Sequence, residues 1–294
     1  MQACASTSQV IVRSVEDLVD PAVLDRLDEL AKQYAAADPF PHIVIDGFFR
    51  PELATFLDDH FPSMSEMPTV FKELMSYKGQ LSDIDNRWPK FSSIFNVLQS
   101  NEFLNLMERL SGIRRLVHDE TRAGGGLHQS PRSGFLDIHV DANFHPFDKQ
   151  LHRRLNILIY VNSRWKQAWG GELQLWSNEK NKPSELRQVV VPEFNRAVIF
   201  STTRTSWHGV APVRCPEGES RRSLALYYYT HERPKEEIYE DSSVIWMSKD
   251  SAAKRVVYPV MNAAIRMLKP YARYLRKLRP TGVFDGYHDK DKDG

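Results

Sequence analysis

The chain has 294 residues, 41% of them hydrophobic and 26% charged, enough to bury a substantial core in one large domain. Its net charge of +1 gives no global attraction to nucleic acid or acidic membranes, and no apolar run is long enough to cross a bilayer. Cys4 and Cys215 are the only cysteines, and residues 1–10 are polar without the apolar core of a signal peptide, so a reducing, cytoplasmic setting is expected.

Asp20-Pro21 predicts a helix start, with Asp as cap and Pro in the first turn, and Val23, Leu24, Leu27, Leu30 and Ala31 then recur at helical spacing. His42 to Asp46 reads as a short strand. Pro51 opens a second helix carrying Leu53, Phe56 and Leu57. Residues 64–90 are polar and broken by Pro68 and Pro89, which predicts an irregular lid or insertion. Phe91 to Ser111 reads as one helix. From Leu116 the texture changes to short strands with turn signals: Phe135–Asp141, Leu155–Asn162, Glu172–Trp176, Gln188–Val191, Ala197–Ser201, His208–Val213 and Ser223–Thr230. About eight strands suit a jelly roll. Ser251–Leu278 reads as a basic helix interrupted by Pro259 and Pro270, carrying Lys254, Arg255, Arg266, Lys269, Arg273, Arg276 and Lys277 with a solvated basic face; a docking helix for a partner or an anionic surface is the alternative. Asp285–Gly294 is expected to be disordered. The chain thus divides into an N-terminal helical and strand part (1–115), a β core (116–233) and a basic helical extension (234–294).

The chemistry centres on Gly124–Asn143. Side chains alternate along a strand, so His139 and Asp141 share one face while Leu136, Ile138 and Val140 pack on the other. His-x-Asp recurs by chance in many chains; residues further along the chain single this one out. His208 offers a second imidazole, and two His with one carboxylate, leaving further positions open, is the donor set of non-haem Fe(II) oxygenases. Thirteen residues on, Arg221 and Ser223 share a face of the last strand. A guanidinium can grip a carboxylate through two parallel hydrogen bonds, and a hydroxyl can add a third.

Together these features resemble the Fe(II)- and 2-oxoglutarate-dependent oxygenases, in the prolyl 4-hydroxylase-like branch. The resemblance spans about Pro39 to Thr230. It is carried by Pro41–Phe48, Gly124–Asp141, Arg154–Asn162, Trp169–Leu173, Asn195–Phe200, His208-Gly209-Val210 and Arg221-Arg222-Ser223. It implies a double-stranded β-helix (jelly roll, cupin-like) with N-terminal helices packed on one sheet. It also implies His139, Asp141 and His208 as iron ligands, and Arg221 with Ser223 on the distal carboxylate of 2-oxoglutarate, Arg222 being an alternative to Arg221. Asn156 and Tyr160 are candidates to assist. The expected cofactors are Fe(II), 2-oxoglutarate and O2, with hydroxylation of an unactivated C–H bond and release of succinate and CO2. An Asp at position 141, where related halogenases carry a small residue, favours hydroxylation over halogenation.

Arg122, His128, Gln129, Arg132, Asn143, His145 and Trp176 are candidate substrate contacts, being polar or aromatic and near the ligands in sequence. A small-molecule substrate (an amino acid, a sugar or a natural-product intermediate) is favoured over a prolyl or other residue in a protein, because no extended peptide groove is legible. A non-catalytic jelly-roll binding module is the third reading, against which the intact triad counts. A homodimer is an open alternative.

Overall fold

The computed structural model describes residues 10–237, 244–249 and 251–278, with side chains of the last helix described through Leu268 except Arg266. Cys4, the tail Asp285–Gly294 and the basic side chains Arg266, Lys269, Arg273, Arg276 and Lys277 fall outside the described residues.

Twelve strands, β1 (His42–Asp46), β2 (Thr69–Lys72), β3 (Ser76–Leu81), β4 (Gly126–Pro131), β5 (Phe135–Val140), β6 (His152–Tyr160), β7 (Leu173–Glu179), β8 (Lys182–Val190), β9 (Arg196–Ser201), β10 (Trp207–Val210), β11 (Ser220–Thr230) and β12 (Ile245–Trp246), form one antiparallel sheet. Its order is β1-β9-β6-β11-β4-β3-β5-β10-β7-β8, with β2 on β3 and β12 on β5. The sheet folds over at β3, whose one edge pairs first with β5 through Ser76↔Leu136 and then with β4 through Gly79↔Gln129, while β2 takes the other edge. The result is a nearly closed jelly roll with the two halves facing each other.

Helices α1 (Val15–Leu18), α2 (Pro21–Asp25), α3 (Leu27–Ala36), α4 (Pro51–Asp59), α5 (Ile84–Arg87), α6 (Ser92–Leu98) and α7 (Asn101–Ser111) precede the core, and α8 (Ala252–Leu278) follows it. The main core lies between these N-terminal helices and the larger half-sheet. Leu155, Ile157 and Ile159 of β6 and Leu224, Leu226 and Tyr228 of β11 point outward into it, meeting Phe48, Phe95 and Phe103. The continuous apolar run predicted from Leu155 is therefore buried on both faces, since Leu158 and Tyr160 turn toward the interior and join Leu173, Leu175 and Phe200.

Local signals explain most boundaries. The Asp20 carboxylate accepts from Ala22 N–H at 2.9 Å, and Pro21 takes the first turn of α2. The single helix expected over Phe91–Ser111 is split because Ser100 caps α7, accepting from Phe103 N–H at 3.2 Å. Two expectations are corrected. Residues 64–90 are not an irregular insertion; they supply β2, β3 and α5, and β3 is the hinge of the barrel. Its sequence reads as a loop because the barrel interior it faces is polar. Pro259 and Pro270 do not interrupt α8, which runs unbroken through both; each removes one backbone donor without ending the helix.

Candidate metal centre

His139 and Asp141 leave the end of β5 on one face, as the alternation requires, while Ile138 and Val140 pack with Trp207 on the other. The antiparallel pairing of β10 with β5 sets His208 opposite His139. Register thus brings together two residues separated by most of the core. Donor atoms of His139, Asp141 and His208 all lie within 4.8 Å of one another, and all three residues are buried.

The hydrogen bonds decide which atoms face the centre. His139 donates from Nδ1 to the Asp137 carbonyl at 2.8 Å, and His208 from Nδ1 to the Ser206 carbonyl at 2.9 Å. Carbonyls only accept, so Nδ1 carries the proton in each ring, which in a neutral imidazole leaves the lone pair on Nε2. These point at the Asp141 carboxylate, 3.7 Å from Oδ1 for His139 and 3.9 Å from Oδ2 for His208, too far for hydrogen bonds. Burial, then the neighbouring His139, pushes His208 down to about 4, so it stays neutral near pH 7. Burial opposes the charge on Asp141, but the basic groups around it, His139 first and then His208 and Arg153, outweigh burial as the pH falls and hold the carboxyl well below its usual range. Asp141 Oδ2 is buried without a hydrogen-bond partner among the described residues. Two lone pairs and an orphaned carboxylate oxygen converging in a buried site repel one another unless a cation lies between them. The set fits Fe(II), and the carbonyl partners of both Nδ1 atoms fix the tautomers a metal requires.

Deeper in the barrel, Arg221 is buried, stacked on the Tyr160 ring at 4.7 Å, and donates to Tyr160 Oη at 3.0 Å and Gly171 O at 2.8 Å. Ser223 pairs across the sheet with Tyr160 and His128, and its Oγ is buried without a partner, as is Asn156 Oδ1. A guanidinium with unsatisfied hydroxyl and amide groups beside it suits a buried carboxylate. Arg222 turns to the opposite face, where its Nη1 reaches Asp58 Oδ1 at 3.4 Å.

The candidate substrate contacts scatter. His128 faces the interior, kept neutral by burial and by the nearby charges of Lys78 and Arg221, and donates to Gly124 O at 3.0 Å. Gln129, its neighbour on β4, alternates to the other face and binds Ser220 Oγ at 2.6 Å. Arg122 is committed to Gln99 and Asp85 at 2.8 and 3.0 Å. Asn143 accepts from Arg233 at 2.8 Å. His145 is paired with Asp119 at 3.0 Å, away from the triad. Trp176 lies on the outer face opposite Trp207, near Ile138 and Val140. Arg132 is exposed in the turn after β4.

Three residues of the site carry little or no signal in the sequence. Arg153 is buried on β6, 3.6 Å from Asp141 Oδ1, with its guanidinium 3.9 Å above the Tyr227 ring. Its one signal is a charge at the start of an apolar strand. Lys78 of β3 carries its ammonium among Asp141, Arg221 and His128. Trp246, from the extension, stacks on His139 with centroids 4.8 Å apart. Neither Lys78 nor Trp246 stands out, because the segments holding them do not read as strands.

A buried two-His, one-carboxylate centre inside a jelly roll defines the non-haem Fe(II) oxygenase class. Comparison narrows this: residues 125–264 match the model of the 2OG-Fe(II) oxygenase superfamily. Prolyl 3-hydroxylase OGFOD1 of Mus musculus is 24% identical over 213 residues, 68% of this chain and 37% of that protein. Its Xenopus laevis counterpart is 24% identical over 207 residues, 67% of this chain and 36% of that protein. The chain therefore aligns with little more than a third of the length of these relatives. Among solved structures, a prolyl 4-hydroxylase from Phytophthora capsici superposes with a TM-score of 0.51 at 21% identity, over 78% of this chain and 70% of that one, a likeness of fold.

Proposed function

We propose that the protein is a 2-oxoglutarate-dependent Fe(II) dioxygenase that hydroxylates prolyl residues in a protein. The observation that carries the oxygenase reading is the buried convergence of His139, Asp141 and His208 with both Nε2 lone pairs directed at one point. The prolyl reading rests on the two curated relatives, each named a prolyl 3-hydroxylase. It replaces the preference for a small molecule drawn from the sequence, where no peptide groove was legible.

Bound at the triad, Fe(II) with 2-oxoglutarate and O2 supplies the oxidising power that puts one oxygen atom into a C–H bond, the other leaving in succinate as CO2 is released. The chain's residues hold and shield that chemistry. His139, Asp141 and His208 are the metal ligands. Arg153 engages Oδ1 of Asp141, which leaves Oδ2 to ligate. Arg221 anchors the distal carboxylate of the oxo acid, with the Ser223 hydroxyl, the Asn156 amide and the Tyr160 hydroxyl assisting. The apolar wall of Leu173, Leu175, Val198 and Phe200 excludes water. The described residues of the N-terminal part (10–115) and of the extension (244–249 and 251–278) serve as supports of this one catalytic unit.

The test is succinate formation by anaerobically loaded protein given O2, with a panel of proline-containing and proline-free peptides and small molecules. The expected result is that proline peptides stimulate succinate release and gain one oxygen on proline, and that His139→Ala does neither. Stimulation by amino acids or sugars alone would sink the prolyl reading. Wild-type turnover in His139→Ala would sink the metal assignment.

A further inference from the structure

We propose that the C-terminal extension is a positioning clamp for His139, with Trp246 holding the imidazole plane and α8 holding, through Asp137, the carbonyl that orients it. The proposal rests on reading the triad as an iron centre.

Two segments share the free edge of β5. β3 covers the start, with Ser76↔Leu136 and Tyr77↔Phe135, and β12 covers the end that carries the ligands, with Ile245↔Val140 and Trp246↔His139. Met247 N–H donates to Ile138 O at 2.8 Å and extends this pairing. The short run Ile245-Trp246-Met247 then alternates in step with β5. Ile245 and Met247 pack on Ile138, Val140 and Trp207, outside the barrel. Trp246 falls on the ligand face, its indole stacked on the His139 ring at 4.8 Å and 29°. The same imidazole meets the His208 ring at 4.2 Å. His139 is thus confined between an indole and its fellow ligand.

A second connection reaches His139 along the backbone. Its Nδ1–H is held by the carbonyl of Asp137 at 2.8 Å. The carboxylate of Asp137 is in turn gripped by Lys254 Nζ at 2.6 Å and by the Tyr258 hydroxyl in a short hydrogen bond. One turn further on, Asn262 accepts from Trp246 N–H at 3.2 Å and donates to Trp246 O at 2.8 Å. Lys254, Tyr258 and Asn262 are spaced by four, so a single face of α8 makes all three attachments. Tyr258 is fully buried there, although α8 otherwise presents Val256, Val260 and Met267 to solvent. A helix that merely covered apolar surface would seat its aliphatic residues. This one seats the polar groups that meet Asp137 and Trp246. Partners of this kind fix ring orientation and tune metal affinity, and losing one costs roughly 10- to 100-fold in binding or activity.

The experiment uses the full chain, stripped of metal and titrated with Co(II), following affinity by equilibrium dialysis and ligand geometry by visible absorption. Trp246→Ala and Tyr258→Phe are each expected to weaken Co(II) binding about tenfold and to shift the spectrum, while Trp246→Phe restores both in large part. Met247→Ala, on the outer face of the same strand, is expected to lower the melting temperature of the metal-free protein without changing Co(II) affinity. Wild-type affinity and spectrum in both Trp246→Ala and Tyr258→Phe would overturn the clamp, as would an equal loss in Met247→Ala. If Trp246→Ala does not fold, Tyr258→Phe decides, since it removes a single oxygen. His139→Ala separates the two readings. Loss of Co(II) binding there keeps the iron centre whatever becomes of the clamp; retention removes the centre and the clamp with it.

Discussion

Arg221 and Arg222 are adjacent in sequence and opposite in role, and the strand period alone separates them. Arg221 faces the barrel with Ser223; Arg222 faces outward to Asp58. Charge-assisted hydrogen bonds contribute about 1.5–3 kcal/mol each, so Arg221→Ala should raise KM for 2-oxoglutarate by roughly tenfold or more. Arg222→Ala should leave it nearly unchanged. Measuring both KM values checks the assignment, and the reverse order would overturn it. Lys78 makes a second prediction. Burial, then Arg221 against the opposing pull of Asp141, brings its ammonium down to about 8. The unfolded chain releases that proton only near pH ~10.4. Between these values the unfolded state holds a proton the folded state has lost, so stability rises with pH across the window and the penalty is complete below it. Urea unfolding of metal-free wild type and Lys78→Met from pH 7 to about 10 should show the wild type gaining on the variant; parallel curves would refute it. The convergence of His139, Asp141 and His208 was legible because the strand spacing and the family resemblance both pointed to it; the role of Arg221 was implied by the resemblance and is part of the proposal. Lys78 and Arg153 were not legible, because a lone basic residue reads as solvated until its strand is placed.

Among elements, what the sequence disclosed depended on whether one face was apolar. β1, β5, β6 and β9 came within a few residues of their true bounds, since each carries Ile, Val or Leu for a core face. β3 escaped because Ser76-Tyr77-Lys78-Gly79-Gln80 has no such alternation; its interior side lines a polar cavity. Yet β3 joins the two halves of the barrel, and the joint is tight. Gly126 of β4 has φ of +99°, and a Cβ there would lie 2.1 Å from Leu81 O and 2.8 Å from Ser82 Cα, both backbone atoms. Neither can yield without parting β3 from β4. Gly126→Ala is therefore expected to destabilise by at least the ~1–3 kcal/mol of an overpacked core site, read as a fall in urea midpoint. An unchanged midpoint would mean the close approach is not present. Ser100→Ala, which removes the cap of α7, should cost about 1 kcal/mol and serves as a milder scale for the same measurement.

Over the whole molecule, the ligands come from two neighbouring strands whose pairing the metal would reinforce. His139 and Asp141 end β5, His208 lies on β10, and β12 and α8 attach to β5 from the extension. The jelly roll and its metal chemistry could be read from the chain, because strand periodicity and donor spacing are local properties. The class of substrate could not. Peptide and small-molecule substrates would meet the same interior and differ only in the rim, which is built from segments distant in sequence. Metal binding should nonetheless report on the assembly. A ligand that binds only the folded state stabilises it by RT ln(1 + [L]/Kd), about 2.7 kcal/mol at a hundred times Kd. Adding Co(II) to the stripped protein should thus raise its melting temperature, and a chelator should reverse the rise. His139→Ala should melt at one temperature with or without metal. If the variant gains as much as wild type, the stabilising ion binds elsewhere and β5 and β10 are not tied together through this centre. If only wild type gains, one ion contributes to holding β5 against β10, and the metal that would serve the chemistry also braces the strand pair that carries its ligands.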